Sequence, residues 1–237
     1  MIKLFCLPYA GGSAMIYHRW KGSLHGTIQL CPIELTGRGK RFTEPYYDSL
    51  LAAVEDVYEL VKPELNRGPY AFFGHSMGSL LAYELARKIE TLPHPKPLHL
   101  FLSGGNPPHL KNNEKIYHTM PEEEFKVEIL KMGGTPREVF EHKELLEIFI
   151  PLLRADYKII ETYEFQPDHP VFDYGITGFY GKADEEATGD KMREWQQYTK
   201  TQFWLHEYEG GHFFIHDYMD EIIQIINNTM QYHRIST

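Results

Sequence analysis

The chain has 237 residues, 42% of them hydrophobic, which is enough apolar content for one full core, and it carries a formal charge of −9 at pH 7. That charge argues against nucleic-acid binding, which needs a basic face. No apolar stretch approaches a membrane span, the opening run is too soon broken by Pro8 to be a secretory signal, and Cys6 and Cys31 lie in apolar runs as buried strand residues, not a disulfide framework, so a cytoplasmic protein is expected.

Ile2-Lys3-Leu4-Phe5-Cys6-Leu7 predicts a first strand over 2–7, followed by a turn through Pro8-Tyr9-Ala10-Gly11-Gly12. A second strand is expected over 28–34. A helix over 48–65 follows, with Leu50, Val54, Val57, Val61 and Leu65 on one face and Asp48 as its cap. Strand 70–73 leads into helix 76–90, and strand 98–103 comes next. The interval 107–166 then breaks the alternation: it opens on Asn106-Pro107-Pro108, holds no strand pattern, and carries one helix led by Pro121 and three glutamates and another marked by Val139, Leu146, Ile150 and Leu153. Gly133-Gly134 between them is a hinge or a helix cap. Strands 175–180 and 202–208 and a helix over 217–232 complete the chain. Strands alternating with helices predict an α/β fold, a mostly parallel sheet flanked by helices, in one domain spanning 1–237 with 107–166 as an inserted helical lid.

Gly74-His75-Ser76-Met77-Gly78 lies between the apolar run Tyr70-Ala71-Phe72-Phe73 and the helical residues Leu80, Leu81, Ala82 and Leu85, the pattern of a nucleophile elbow. A serine on so sharp a strand-to-helix turn needs neighbours without side chains two positions either side, which nominates Ser76 as a catalytic nucleophile. Met77 then opens a helix, where a free N–H favours a developing negative charge.

An acid and a histidine follow in the order Ser, Asp/Glu, His. His212 sits in Glu209-Gly210-Gly211-His212-Phe213 after a strand, and Asp184 in Gly181-Lys182-Ala183-Asp184 after another. The aspartate is expected to orient the imidazole and stabilise its protonated form. His216 is a rival base and, four residues from His212, has a spacing that a metal site uses, although no H-E-x-x-H pattern or third ligand accompanies it and no metal is expected. Glu185, Glu186 and Asp190 compete with Asp184. The glycine pair after the first strand makes the amide of Ala10 a candidate second oxyanion donor beside that of Met77.

Phe5-Cys6-Leu7-Pro8-Tyr9-Ala10-Gly11-Gly12, Leu35-Thr36-Gly37-Arg38-Gly39-Lys40-Arg41, the elbow, Leu152-Leu153-Arg154-Ala155-Asp156-Tyr157 and Gly210-Gly211-His212-Phe213, in this order, resemble the type II thioesterases of nonribosomal peptide and polyketide synthesis. The family usually has proline where Thr36 stands. The resemblance implies an α/β-hydrolase with a mobile lid that removes acyl groups from the phosphopantetheine arm of carrier proteins, clearing mis-primed or stalled carriers. It implies Ser76 as nucleophile, Asp184 as orienting acid, His212 as base and the amides of Ala10 and Met77 as oxyanion donors. It also implies no cofactor beyond the arm on the carrier-protein partner, and a monomer. The lid residues Phe125, Met132, Phe140 and Phe149 would then face an acyl chain or pack a core, and Arg38, Lys40 and Arg41 would meet a phosphate or an acidic carrier or form a solvated loop. The alternatives are an esterase or lipase on free small or medium-chain esters or acyl-CoA, and an idle binding module with the same fold.

Overall fold

The computed structural model describes residues 1–110, 115–134, 137–167 and 170–235. Six strands form one sheet: β1 Ile2–Leu7, β2 Ile28–Pro32, β3 Tyr70–His75, β4 His99–Ser103, β5 Gly175–Gly181 and β6 Phe203–Tyr208. They lie in the order β2-β1-β3-β4-β5-β6 with every neighbouring pair parallel. The strands are those the sequence predicts, with shifted ends. β2 stops two residues early, although Ile33 N–H still reaches the Cys6 carbonyl at 2.9 Å, and β3 runs two residues further than its apolar pattern.

Side chains alternate across this sheet and build a core on each face. Phe5, Leu7, Tyr70, Phe72, Leu100 and Leu102 pack against helices α1 Leu50–Leu65 and α2 Met77–Glu90. Leu4, Cys6, Ala71, Phe73 and Phe101 face the other way, onto the terminal helix Met219–Ile235 and a 3₁₀ segment, Ala14–Gly22, that supplies Tyr17 and Trp20. That segment has no clear apolar period, and the sequence pattern gives no sign of it.

Two expectations need correction. α1 is capped by Ser49, whose Oγ accepts from Ala52 N–H at 3.1 Å, and not by Asp48, which lies one residue too far out to reach the first turn. Cys6 is fully buried, but Cys31 is only half-buried, because β2 is an edge strand with solvent along one side.

Between β4 and β5 lie α3 Glu122–Met132, α4 Arg137–Glu141 and α5 Lys143–Glu161, and no strand among the described residues; 111–114 and 135–136 of this expected insertion fall outside them. A third apolar cluster holds these helices together, with Phe125, Ile129, Ile150 and Leu153 buried and Met132, Phe140 and Phe149 packed against them. Gly133 closes α3 in the left-handed conformation at φ +80°, so it is a helix cap. After β5 come α6 Gly189–Arg193, a 3₁₀ turn at Glu194–Tyr198 that buries Trp195 and Tyr198, β6, and the terminal helix, α7. Among the described residues no helix is long and apolar enough to cross a membrane.

Candidate active site

All six residues of β3 are buried, and the strand runs straight into Ser76, at φ 54° and ψ −119°. Ser76 is the one non-glycine residue with positive φ among those described, a conformation that costs roughly 1–3 kcal/mol and needs outside support. Support comes from β4, whose Ser103 carbonyl accepts the Ser76 N–H at 2.7 Å, and from Ser79, whose N–H donates to the Ser76 carbonyl at 2.9 Å. A Cβ on Gly74 would stand 2.0 Å from the Gly78 carbonyl oxygen, and one on Gly78 would stand 2.2 Å from that of Leu7. The elbow is thus closed against both the start of α2 and the end of β1. Met77 opens α2, so its N–H has no partner within the helix.

Asp184 and His212 come from the ends of β5 and β6, drawn together by backbone contacts between the two loops. Lys182 N–H donates to the Tyr208 carbonyl and Ala183 N–H to that of Gly210, each at 2.8 Å. Asp184 is buried; its Oδ1 accepts from the amides of Glu186 and Ala187 at 2.9 and 3.0 Å, and its Oδ2 lies 2.7 Å from His212 Nδ1. Burial pushes the Asp184 carboxyl up, but the His212 contact and the two amides outweigh it and leave the acid below its ordinary value. For His212, burial pulls the imidazole down, yet the Asp184 hydrogen bond and charge, with Glu186 nearby, carry it above the ordinary 6.5.

The rivals make other contacts, although Glu185 and Glu186 line the same cavity as His212. His216 Nε2 is 3.2 Å from the Tyr9 hydroxyl, and its ring lies parallel to that of Phe213. Glu185 is exposed, Asp190 pairs with Arg193, and Glu186 Oε1 accepts from the Tyr117 hydroxyl at 3.2 Å. Among the described residues no three metal-ligating side chains gather into a group. Sequence reasoning passed over His75. It is fully buried beneath His212, with ring centroids 5.3 Å apart, and its Nδ1 is 2.8 Å from Ser103 Oγ. Burial, then the neighbouring His212, push its pKa far down, so it stays neutral. Its place inside the elbow was the available signal.

Ser76, Met77, Ala10 and His212 line one cavity of about 350 Å³, together with the mixed polar and apolar set Leu80, Asn106, Tyr117 and Lys191. A second cavity, of about 520 Å³, is bordered by Ile129, Met132, Phe149, Leu153 and Phe213. Ala10 and Tyr157 border both. Of the basic group, only Lys40 is exposed. Arg41 is bound to Glu44 and Asp56, and Arg38 is buried in a two-pronged pair with Asp156 of α5, Nη1 to Oδ2 and Nη2 to Oδ1 both at 2.7 Å. Arg38 is therefore no surface for a phosphate or an acidic partner. Gly11 N–H shares Asp156 Oδ2 at 2.7 Å, and Arg38 also donates to the Gly12 carbonyl at 3.1 Å.

Residues 2–230 match the model of the thioesterase domain family. The chain is 40% identical to the linear gramicidin dehydrogenase LgrE of Brevibacillus parabrevis, over 97% of this chain and 88% of that one. It is 38% identical to the gramicidin S biosynthesis protein GrsT of Aneurinibacillus migulanus, over 95% and 87%. The crystal structure of ClbQ from the colibactin NRPS/PKS pathway superposes with a TM-score of 0.95 at 37% identity, covering 100% of this chain and 99% of that one.

The elbow contacts set a stability test. Gly78→Ala forces a side chain into the Leu7 carbonyl and should cost about 3 kcal/mol or more, read as a lower midpoint in urea denaturation. An unchanged midpoint would mean that β1 and α2 have room that this packing denies them.

Proposed function

The chain belongs to the thioesterase domain family and is a thioester hydrolase of the α/β-hydrolase fold, and from that premise we propose that Ser76, His212 and Asp184 form its catalytic triad and that it frees acyl groups from the phosphopantetheine arm of carrier proteins in a nonribosomal peptide or polyketide synthase. The observation that carries this reading is the meeting in one cavity of Ser76 on its elbow, the His212 ring bound to Asp184, and the residues Ala10 and Met77 whose amides serve as oxyanion donors. The name of ClbQ, which places that protein in an NRPS/PKS pathway, supports the choice of partner. LgrE is named a dehydrogenase, but the turn after β1 here reads Pro8-Tyr9-Ala10-Gly11-Gly12 and not the Rossmann dinucleotide fingerprint G-x-G-x-x-G.

In the proposed reaction His212 Nε2 takes the Ser76 Oγ proton while Oγ attacks the thioester carbon. The carbonyl oxygen becomes an oxyanion held by the amides of Ala10 and Met77, each worth roughly 3 kcal/mol. The carbon–sulfur bond breaks, and the leaving pantetheine sulfur receives the proton from His212. A thiol is acidic enough to leave with little help, so this protonation matters less than it does for an amine. Water, deprotonated by His212, then attacks the acyl-serine and releases the carboxylic acid and Ser76. Asp184 keeps Nδ1 protonated and aimed at itself throughout, which leaves Nε2 free for the proton transfers. The arm belongs to the carrier, and no cofactor of the enzyme's own enters the scheme.

The helices of 107–166 act in this reading as a lid that excludes water, and the apolar cavity under α3 and α5 receives the acyl chain. Clearing mis-primed or stalled carriers is the service such an activity gives a synthase.

Hydrolysis of acetyl groups from a phosphopantetheinylated carrier should exceed that of free acetyl-pantetheine and of a p-nitrophenyl ester at equal concentration, and Ser76→Ala should lower it by about 10⁴-fold or more. Faster turnover of the free ester would instead make the protein an esterase. Because His212 must be neutral to act and its pKa is raised, kcat/KM should climb with pH through a midpoint above 6.5. Asp184→Asn removes the raising influence, so that midpoint should fall while kcat drops about 10³–10⁴-fold; a midpoint that stays put would remove Asp184 from the scheme.

A further inference from the structure

We infer that Arg38 and Asp156 are positioning residues for the oxyanion amide of Ala10, and that through them the seating of α5 decides whether the hole is formed. The inference rests on the reading of Ser76 as nucleophile and Ala10 N–H as oxyanion donor. Ala10 N–H belongs to the same flat, trans peptide unit as the Tyr9 carbonyl, so fixing one aims the other in the opposite direction. The Tyr9 carbonyl is fixed by Gly12 N–H at 2.8 Å, which makes the aim of Ala10 N–H depend on where Gly12 sits. Gly12 in turn is held through its carbonyl by Arg38 Nη1 at 3.1 Å. The peptide between, Ala10 to Gly11, is held by Asp156 Oδ2 at 2.7 Å from Gly11 N–H. One ion pair thus holds both residues that follow Ala10, Gly11 through its N–H and Gly12 through its carbonyl, and Gly12 N–H ties them back to the Tyr9 carbonyl that precedes it.

That pair does not belong to the turn. Arg38 follows β2, with Nε donating to the Thr36 carbonyl at 3.2 Å, and Asp156 stands on α5, one residue from Tyr157 and three from Leu153, which line the cavities. Their side chains are 4% and 3% exposed. Gly11, at φ +75°, has no side chain to keep α5 away: a Cβ there would meet Leu153 at 2.9 Å and Phe149 at 3.1 Å. If α5 moves off, the acceptor of Gly11 N–H leaves with it, Arg38 loses its counterion, and the brace on Gly12 slackens. Occupancy of the space beneath α5 and readiness of the oxyanion hole are therefore one event.

The test separates position from mere stability. Removing one partner strands a buried charge, whereas exchanging both for apolar residues commonly preserves the fold, so the first variant is Arg38→Met with Asp156→Leu. Three quantities are compared with wild type: kcat on acetyl-pantetheine, affinity for the thioether analogue, which mimics the ground state, and affinity for the trifluoromethyl ketone analogue, whose adduct with Ser76 carries an oxyanion. The expected result is a 10- to 100-fold loss in kcat, an equal loss in ketone affinity, and thioether affinity within threefold, with a native circular dichroism spectrum. Should that variant not fold, Asp156→Asn, which keeps the shape and one acceptor, carries the same comparison with an expected split of three- to tenfold. Unchanged kcat and ketone affinity, or equal losses for both analogues, overturns the inference while Ser76-dependent turnover stands. A Ser76→Ala protein as active as wild type would instead bring down the reading beneath it.

Discussion

Everything in the site is referred to one steric constraint, the contact of Gly74 with Gly78 and of Gly78 with the end of β1. With 2.0–2.2 Å where a methyl group would have to stand, the chain can turn from β3 into α2 in one residue, and that residue is Ser76. Its unfavourable φ is held by the backbone hydrogen bond that its N–H donates to β4. The position of Ser76 and the start of α2 are therefore not two adjustments but one. A strained residue fixed by its surroundings in this manner needs little reorganisation when charge develops beside it.

The parallel sheet does the rest of the gathering. Since all six strands run in one direction, the loops after β1, β3, β5 and β6 leave from the same edge, and Ala10, Ser76, Asp184 and His212 stand on those four loops. The fine adjustment is electrostatic. Asp184 is held low and His212 high by the same 2.7 Å contact, while His75, more deeply buried and next to it, has a hydroxyl for a partner and stays neutral. Two imidazoles 5.3 Å apart thus carry different charge behaviour because only one of them meets a carboxylate.

How much of this was legible from the residues divides along range. The elbow and the strand ends bearing Asp184 and His212 were readable, because glycine spacing and alternation are local signals. The preference for Asp184 over Glu185 rests on distance from a strand, a local signal too; the His212 ring lies 2.7 Å from the Asp184 carboxylate. Arg38 was not legible: its partner is 118 positions away, so beside Lys40 and Arg41 it had the aspect of a surface cluster. Cys31 was misjudged because strand order, which puts β2 at the edge, is not encoded in the apolar run itself. Ser49 displaced Asp48 as cap by a one-residue margin, the usual resolution at which such signals compete. The 3₁₀ segment at Ala14–Gly22 offered no helical period, only Tyr17 and Trp20, whose burial depends on α7 at the far end of the chain.

The long span of the Arg38–Asp156 pair also bears on the order of assembly. Contacts between distant segments come at a loop-closure cost and form only once the intervening chain is organised. The β1 turn, the segment after β2 and α5 must all be in place before this pair can close. The chain consequently folds its sheet before this pair can fix the Ala10 turn, so a nascent or partly folded molecule holds Ser76 on its elbow before the turn beside it is ordered.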